Sequence, residues 1–316
     1  MTAHPEDPAR SLPPAAAGAD AQAPLETPLQ RFVQGYRSST TAMAALAVLA
    51  LLLLLALLCP WISPQNPYDL SVLDVLDSRL PPGERSGDGK MIFWLGSDEQ
   101  GRDMLSAILY GLRTSLAVGV SSTLLALALG LGLGLTAAYA GGRAQVLIMR
   151  LADIQLSFPP ILIALILLAL TGPGLGKIVI ALVAVQWAYY ARTARSTALV
   201  ELGKEYIEAA RGLRLSAARI VFRHLLPNCV PPLTIICAMQ VAAAISLEAT
   251  LSFLGLGLPP TEPSLGLLIA NGSQYLMSGK YWISVFPGVA LLVLIVCINL
   301  VADHLRDVLN PRLQTH

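Results

Sequence analysis

The stretch that decides the fold runs from Glu205 to Asn228, "EYIEAARGLRLSAARIVFRHLLPN". With Lys204 just before it, it carries five of the chain's twenty-one Lys and Arg residues, yet long apolar runs flank it on both sides. Lys204 to about Leu213 is rich in helix formers and small residues, Glu205, Glu208, Ala209 and Ala210 among them. Ser216 is placed to cap a second helix that ends before Pro227. Along that helix Ala217, Val221 and Leu225 share one face at i, i+4, i+8, and Arg219 and Arg223 share the opposite stripe. A charged, amphipathic helix pair between two greasy segments reads as an element at the mouth of a helical bundle. Two roles fit it. It is a basic loop held against anionic headgroups, or a docking element whose paired alanines let a partner's surface close in while a Glu meets a partner's Arg.

Outward from there, composition sets the class. The chain has 316 residues, 55% hydrophobic and 13% charged, against roughly 25% charged in soluble domains. The deficit lies in long apolar runs, so the fold class is an all-α polytopic membrane protein. A net charge of +1 gives no support to a nucleic-acid partner. Cys59, Cys229, Cys237 and Cys297 lie in or beside apolar segments without CxxC spacing, and read as small buried hydrophobes, not as a disulfide or metal set.

The apolar runs predict six transmembrane helices: 39–62, then roughly 108–140, 145–171, 176–199, 230–258 and 282–303. Residues 1–38 read as a disordered tail with no basic n-region, 63–105 as an extracytoplasmic segment, 106–310 as the main transmembrane domain with the charged loop at about 203–227, and 311–316 as a short tail. "GLGLG", Gly130 to Gly134, has the GxxxG spacing that lets another helix approach closely. Pro159-Pro160 predicts a break or kink in the third run. With both termini inside, fourteen of the twenty-one basic residues fall on the cytoplasmic side, which places the charged loop there too.

The charges near the spans have several readings. Glu248 lies within the fifth run, where an ionised carboxylate costs on the order of 3 kcal/mol unless it faces protein or water. It is a pore or gate residue, or a structural partner of a neighbouring helix. Asp153 is spaced to pair with Arg150. "GSDEQGRD", Gly96 to Asp103, reads as a capped helix start with local ion pairs, and "ADHLRD", Ala302 to Asp307, as the polar end of the last span. "TGPGLGKI" and "SGDGKM" lack the spacing and the Ser/Thr of a phosphate loop. No nucleophile, metal set or ATP site is legible, so the chain reads as no enzyme and as carrying no cofactor.

Several motifs carry a family resemblance. "EAA" at Glu208-Ala209-Ala210 followed by Leu226-Pro227 resembles the cytoplasmic EAA loop of ABC-importer permeases. "LGSDEQGRDMLSAILYGLRTSLAVG" from Leu95, "MRLADIQLSFPPILIALIL" from Met149, "LEATLSFLGLGLPPTEPSLG" from Leu247 and "FPGVALLVLIVCINLVADHLRDVLNPRL" from Phe286 are similar to the second permease type of the dipeptide/oligopeptide and nickel transport family. Together they span roughly residues 40–313. The family pattern has glycine where this chain has Arg214, the nearest being Gly212, so a residue suited to a left-handed backbone is replaced. Leu265 stands for Trp, Ala302 for Gly and Asn310 for Asp.

The resemblance implies a permease subunit of a bacterial inner-membrane ABC importer, forming half of a translocation pathway. Implied partners are a homologous permease, two ATPase subunits that bind ATP and Mg, an extracytoplasmic solute-binding protein and membrane lipid. Implied coupling residues are Glu205, Glu208, Ala209, Ala210, Gly212, Arg214, Leu226 and Pro227. Glu208→Arg or a bulky residue at 209 or 210 is then expected to uncouple transport without disturbing insertion. The alternatives are a permease for another solute, such as nickel or glutathione, and a secondary transporter, which would call for inverted repeats and midplane acids. A polytopic enzyme or a non-transporting scaffold would bring no ATPase subunits with it on purification.

Overall fold

The computed structural model describes residues 28–69 and 73–309. Of the expected tails, 1–27 and 310–316 lie outside the described residues. The rest of the first tail is not a coil: α1 (Pro28–Arg37) is helical and packs on the far end of the chain. Its signal was there: Leu29, Phe32, Val33 and Tyr36 recur at i, i+3, i+4, i+7, an amphipathic period that a search for long apolar runs passes over.

Four helices among the described residues are long and apolar enough to cross a membrane. They are α2 (Thr40–Ile62), α3 (Met104–Ala140), the continuous run Ala217–Phe253, and α11 (Trp282–Leu309). Ser39 caps α2, accepting from the Ala42 N–H. One face of it, with Ala45, Ala56 and Cys59, packs on the bundle, while Leu46, Leu51, Leu54 and Leu57 on the other are exposed, as suits lipid.

The third run is not one straight span. α4 (Gly142–Ser157) and α5 (Pro160–Thr171) meet at 94°. Pro159 has no N–H to continue the helix and forces Phe158 into an extended backbone (φ −98°, ψ 145°). α6 (Leu175–Leu202) is the fourth run. At 28 residues it is about 42 Å long, but Gln186, Arg192 and Arg195 keep it outside the four apolar helices.

The bundle is built on α3 against α6, the most extensively packed pair. Gly130 and Gly134 make that approach possible. A Cβ added there would come within 2.4 Å of the Trp187 carbonyl and 2.5 Å of the Ala191 carbonyl, respectively. Gly132, between them, faces open space. The GxxxG spacing therefore works as expected.

Two ends can be told apart by their contacts. At one end lie residues 63–69 and 73–103, with the short β1–β2 hairpin (Glu84–Arg85, Ile92–Phe93), the α5–α6 turn and the loop leading to α10 (Leu265–Ser273). Gly174 donates to the Gly257 carbonyl, and the Trp282 indole donates to the Ser97 carbonyl. Asp98 organises this cap: its carboxylate accepts from the Arg102 Nε at 2.6 Å and from the backbone N–H groups of Gln100 and Arg102. Arg102 also reaches the Pro260 carbonyl and is 1% exposed. Asp103 caps α3 by accepting from the Ser106 N–H and hydroxyl. The capped, ion-paired helix start read from "GSDEQGRD" is thus present. Leu265, in place of Trp, is fully buried against Gly111.

At the other end lie α1, the start of α4, the charged helix pair and the end of α11. The His304 ring meets Tyr36 edge-on at 4.9 Å, with its Nε2 3.1 Å from the Tyr36 carbonyl. Asp153 does not pair with Arg150; its partner is Arg192 on α6, an ion pair that fastens α4 to α6. A pairing across helices is invisible to i, i+3 spacing.

Candidate functional site

The quoted stretch folds into an elbow. α6 ends at Leu202, Lys204 leads into α7 (Glu205–Gly212), and α8 (Ala217–Ile220) follows. Ile207, Ala210, Ile220 and Leu225 are buried and pack with Tyr190, Ala194 and Ala198 of α6. Glu205, Glu208, Ala209, Gly212 and Arg214 are exposed on the other face. Neither glutamate makes an ion pair among the described residues.

The two alanines therefore do different things. Ala209 is part of the outer surface, while Ala210 is 5% exposed and serves the packing beneath. Sequence reasoning also passed over two large apolar side chains on the outer face, Leu213 at 76% and Phe222 at 67% exposure. Their signal was there: an apolar residue isolated within a charged, helical insert.

The turn between the helices is a Schellman motif. The Leu215 N–H donates to the Ala210 carbonyl and the Arg214 N–H to the Arg211 carbonyl. Arg214 occupies the left-handed position of that motif, with φ +54°. The expected glycine is missing, but the geometry it favours is kept. Ser216 then caps α8 by accepting from the Arg219 N–H at 3.4 Å.

The second helix does not end before Pro227. It passes through a π-helical turn, Val221–Leu225, into α9 (Leu226–Phe253). The Pro227 ring would crowd the carbonyl of residue 223 in a regular α-helix. Opening that turn to i→i−5 bonding, as in Leu226 N–H to the Val221 carbonyl, relieves it. The extra residue rotates the inner face, so the buried set is Ile220, Leu225 and Cys229, and Ala217 is exposed. Leu226 is half-buried and Pro227 exposed.

Polar ties bind the elbow to both long helices. The buried Glu201 carboxylate on α6 accepts from Lys204 Nζ and from the Tyr206 hydroxyl, both at 2.6 Å. Tyr206 in turn accepts from the Asn228 amide at 3.1 Å, and that amide also donates to the His224 carbonyl. The hydrogen bond to Glu201, followed by burial, pushes the Tyr206 phenol up to about 12. The elbow is thus fastened to both α6 and α9.

Glu248 lies far from the elbow and is fully buried. Its Oε2 accepts from Ser115 on α3 at 2.9 Å and its Oε1 from Ser252 at 2.7 Å. A separate groove of about 360 Å³ runs between α5, α6 and α9, lined by Gln186, Tyr189, Gln240, Ser246 and Thr250. The Gln186 amide bridges α6 to α9 by donating to the Gln240 carbonyl. These polar side chains within apolar runs were not singled out in the sequence, although two glutamines at mid-span are themselves a signal.

Comparisons with known proteins agree with this arrangement. Residues 130–315 match the family of binding-protein-dependent transport system inner membrane components, and residues 27–82 match the N-terminal TM domain of oligopeptide transport permease C. The chain is 36% identical to the di/tripeptide transport system permease protein DppC of Pseudomonas aeruginosa, over 91% of this chain and 93% of that one. It is 37% identical to the dipeptide transport system permease protein DppC of Escherichia coli K12, covering 91% and 94%. Among solved structures, an inward-facing conformation of the MetNI methionine ABC transporter matches with a TM-score of 0.53 at 22% identity, covering 65% of this chain and 97% of that one. With its bundle, its elbow and its relatives agreeing, the chain belongs to the binding-protein-dependent transport system inner membrane components, the permease subunits of ABC transporters.

Proposed function

We propose that this chain is one of the two permease subunits of a bacterial peptide importer and takes its drive from separate ATPase subunits through the elbow. The carrying observation is the two-sided elbow: an exposed face of Glu205, Glu208, Ala209 and Leu213 over an apolar underside fixed to α6 and α9. A face that protrudes from the bundle, with unpaired carboxylates beside isolated apolar side chains, has the chemistry of a docking site for a partner with arginines and an apolar cleft. The relatives' names supply the solute class, di- and tripeptides. Nickel complexes and glutathione are the competing solutes.

In this reading the chain crosses the membrane six times. α6 is a span despite its polarity, because Gln186 and Tyr190 are buried against the bundle and its two arginines sit near one end. α4 and α5 form one broken span. The contact of α1 with the end of α11 favours both ends on one side, and the basic residues favour the cytoplasm for that side. The groove between α5, α6 and α9 is this subunit's share of the solute path. Glu248 serves the gate as a fixed point between α3 and α9 and touches no solute.

The test is a pair of variants, Glu208→Arg and Leu213→Asp, in the assembled transporter. Both are expected to insert and fold normally, to lose peptide uptake at least ten-fold, and to lose binding of the ATPase subunits on purification. Uptake within two-fold of the parent in both would refute the docking role. Competition of uptake by dipeptides, nickel and glutathione separates the solute classes.

A further inference from the structure

A second basic site lies away from the elbow, where α4 crosses α6. A cavity of about 570 Å³ between them is lined by Gln145, Arg150, Asp153, Arg192, Arg195 and Ser196. Three guanidinium groups face one carboxylate. Arg192 spends one arm on Asp153. The buried Nε of Arg195 has no acceptor among the described residues, and Arg150 is exposed and makes no ion pair there. The cavity therefore holds an excess of positive charge, three guanidinium groups against one carboxylate, which an anion with several acceptor oxygens would balance.

Depth and surroundings narrow the anion. Counted from Leu175, Arg192 and Arg195 lie about 26–30 Å along α6, at 1.5 Å per residue, where roughly 30 Å of hydrocarbon gives way to headgroups. Beside this cavity runs a second groove of about 640 Å³, whose walls are Val146 and Leu147 with Arg143 and Arg150 at its edges. Val146, Leu147, Leu151 and Ile154 are all more than half exposed on α4. An apolar helix surface edged with arginine suits an acyl chain that ends in a phosphate.

We propose that the α4–α6 cavity binds the phosphate of an anionic phospholipid in the leaflet on the elbow side, with Arg150 and Arg195 as the chief donors and the acyl chains laid over Val146 and Leu147. Asp153 opposes the anion and is held off by Arg192. The site rests on the chain's membrane location and on neither its solute nor its ATPase partners.

The test is native mass spectrometry of the whole transporter, released from nanodiscs of phosphatidylcholine with one-fifth phosphatidylglycerol. The parent is expected to retain phosphatidylglycerol above its share in the disc. Arg150→Gln, an exposed and structurally mild change, is expected to lower retention about five-fold, and Arg150→Gln with Arg195→Gln about twenty-five-fold, a factor of about five for each guanidinium removed. Arg150→Lys is expected to restore part of it. Inorganic phosphate at 10 mM is expected to displace none. Unchanged retention in Arg150→Gln, displacement by inorganic phosphate, or a copurified permease partner that covers Arg150 in cross-linking would each overturn the proposal. Because the readout is bound lipid, a failure here leaves the transport reading untouched, and the reverse also holds.

Discussion

The two ends of the molecule are held together by opposite means. The end around Asp98 and Arg102 is closed by buried polar groups: an ion pair at 2% exposure or less, a carboxylate cap on α3, and an indole and a guanidinium that reach carbonyls of distant loops. The elbow end has an apolar underside and leaves its charged face to solvent. The difference teaches where a change will be felt. A buried network fails as a unit when one member is lost, because the others remain desolvated and unpaired. An exposed face tolerates substitution in the folded chain and reports only through what it touches.

The strongest way to break this comparison is Arg102→Ala. It leaves Asp98 charged and buried, and the expected loss is about 3–5 kcal/mol, enough to abolish recovery of folded protein. Normal yield and thermal stability of that variant would show the polar cap to be dispensable. Next comes Gly134→Val, which drives a side chain into the α6 backbone at the Ala191 carbonyl. The expected cost is about 1–3 kcal/mol by thermal unfolding, with Gly132→Ala, facing open space, as the silent control.

These two variants also mark how much was legible beforehand. The apolar runs announced α2, α3 and α11, and the Gly130–Gly134 spacing announced a close helix contact. Ser216 announced its cap, and Glu205 and Glu208 announced an exposed helical face. What stayed hidden depends on tertiary context. The Arg192–Asp153 pair joins two different helices and leaves no trace in i, i+3 spacing. The division of labour between Ala209 and Ala210 follows from which side of α7 meets α6. Pro227 carried a true signal with the wrong reading: it predicted a stop, and the helix absorbed it by opening one turn.

Smaller effects sharpen the elbow itself. Arg214→Gly is expected to stabilise the chain by about 0.5–1 kcal/mol, because the left-handed position costs an L side chain energy that glycine avoids. A fall in stability would mean that the Arg214 side chain contributes more through its own contacts within the chain than the left-handed backbone costs it. The smallest effect is a pH dependence. With the Tyr206 phenol held up to about 12, its tie to Glu201 contributes in full below pH 10, the ordinary tyrosine value, and is lost as pH rises through about 12. Tyr206→Phe is expected to flatten that part of the alkaline stability profile without altering it below pH 10.

The open turn at Val221–Leu225 has a mechanical consequence. By letting Pro227 stay within the helix, it makes Ala217–Phe253 a single rod about 56 Å long. That rod is clamped to α3 at Ile245, where Gly119 receives it, and at Glu248. Turned as one body about the clamp at Ile245, it is a lever with unequal arms, about 42 Å toward Ala217 and about 12 Å toward Phe253. If a partner drives the elbow as proposed, a shove at the long arm would reach the short one reversed and reduced about 3.5-fold.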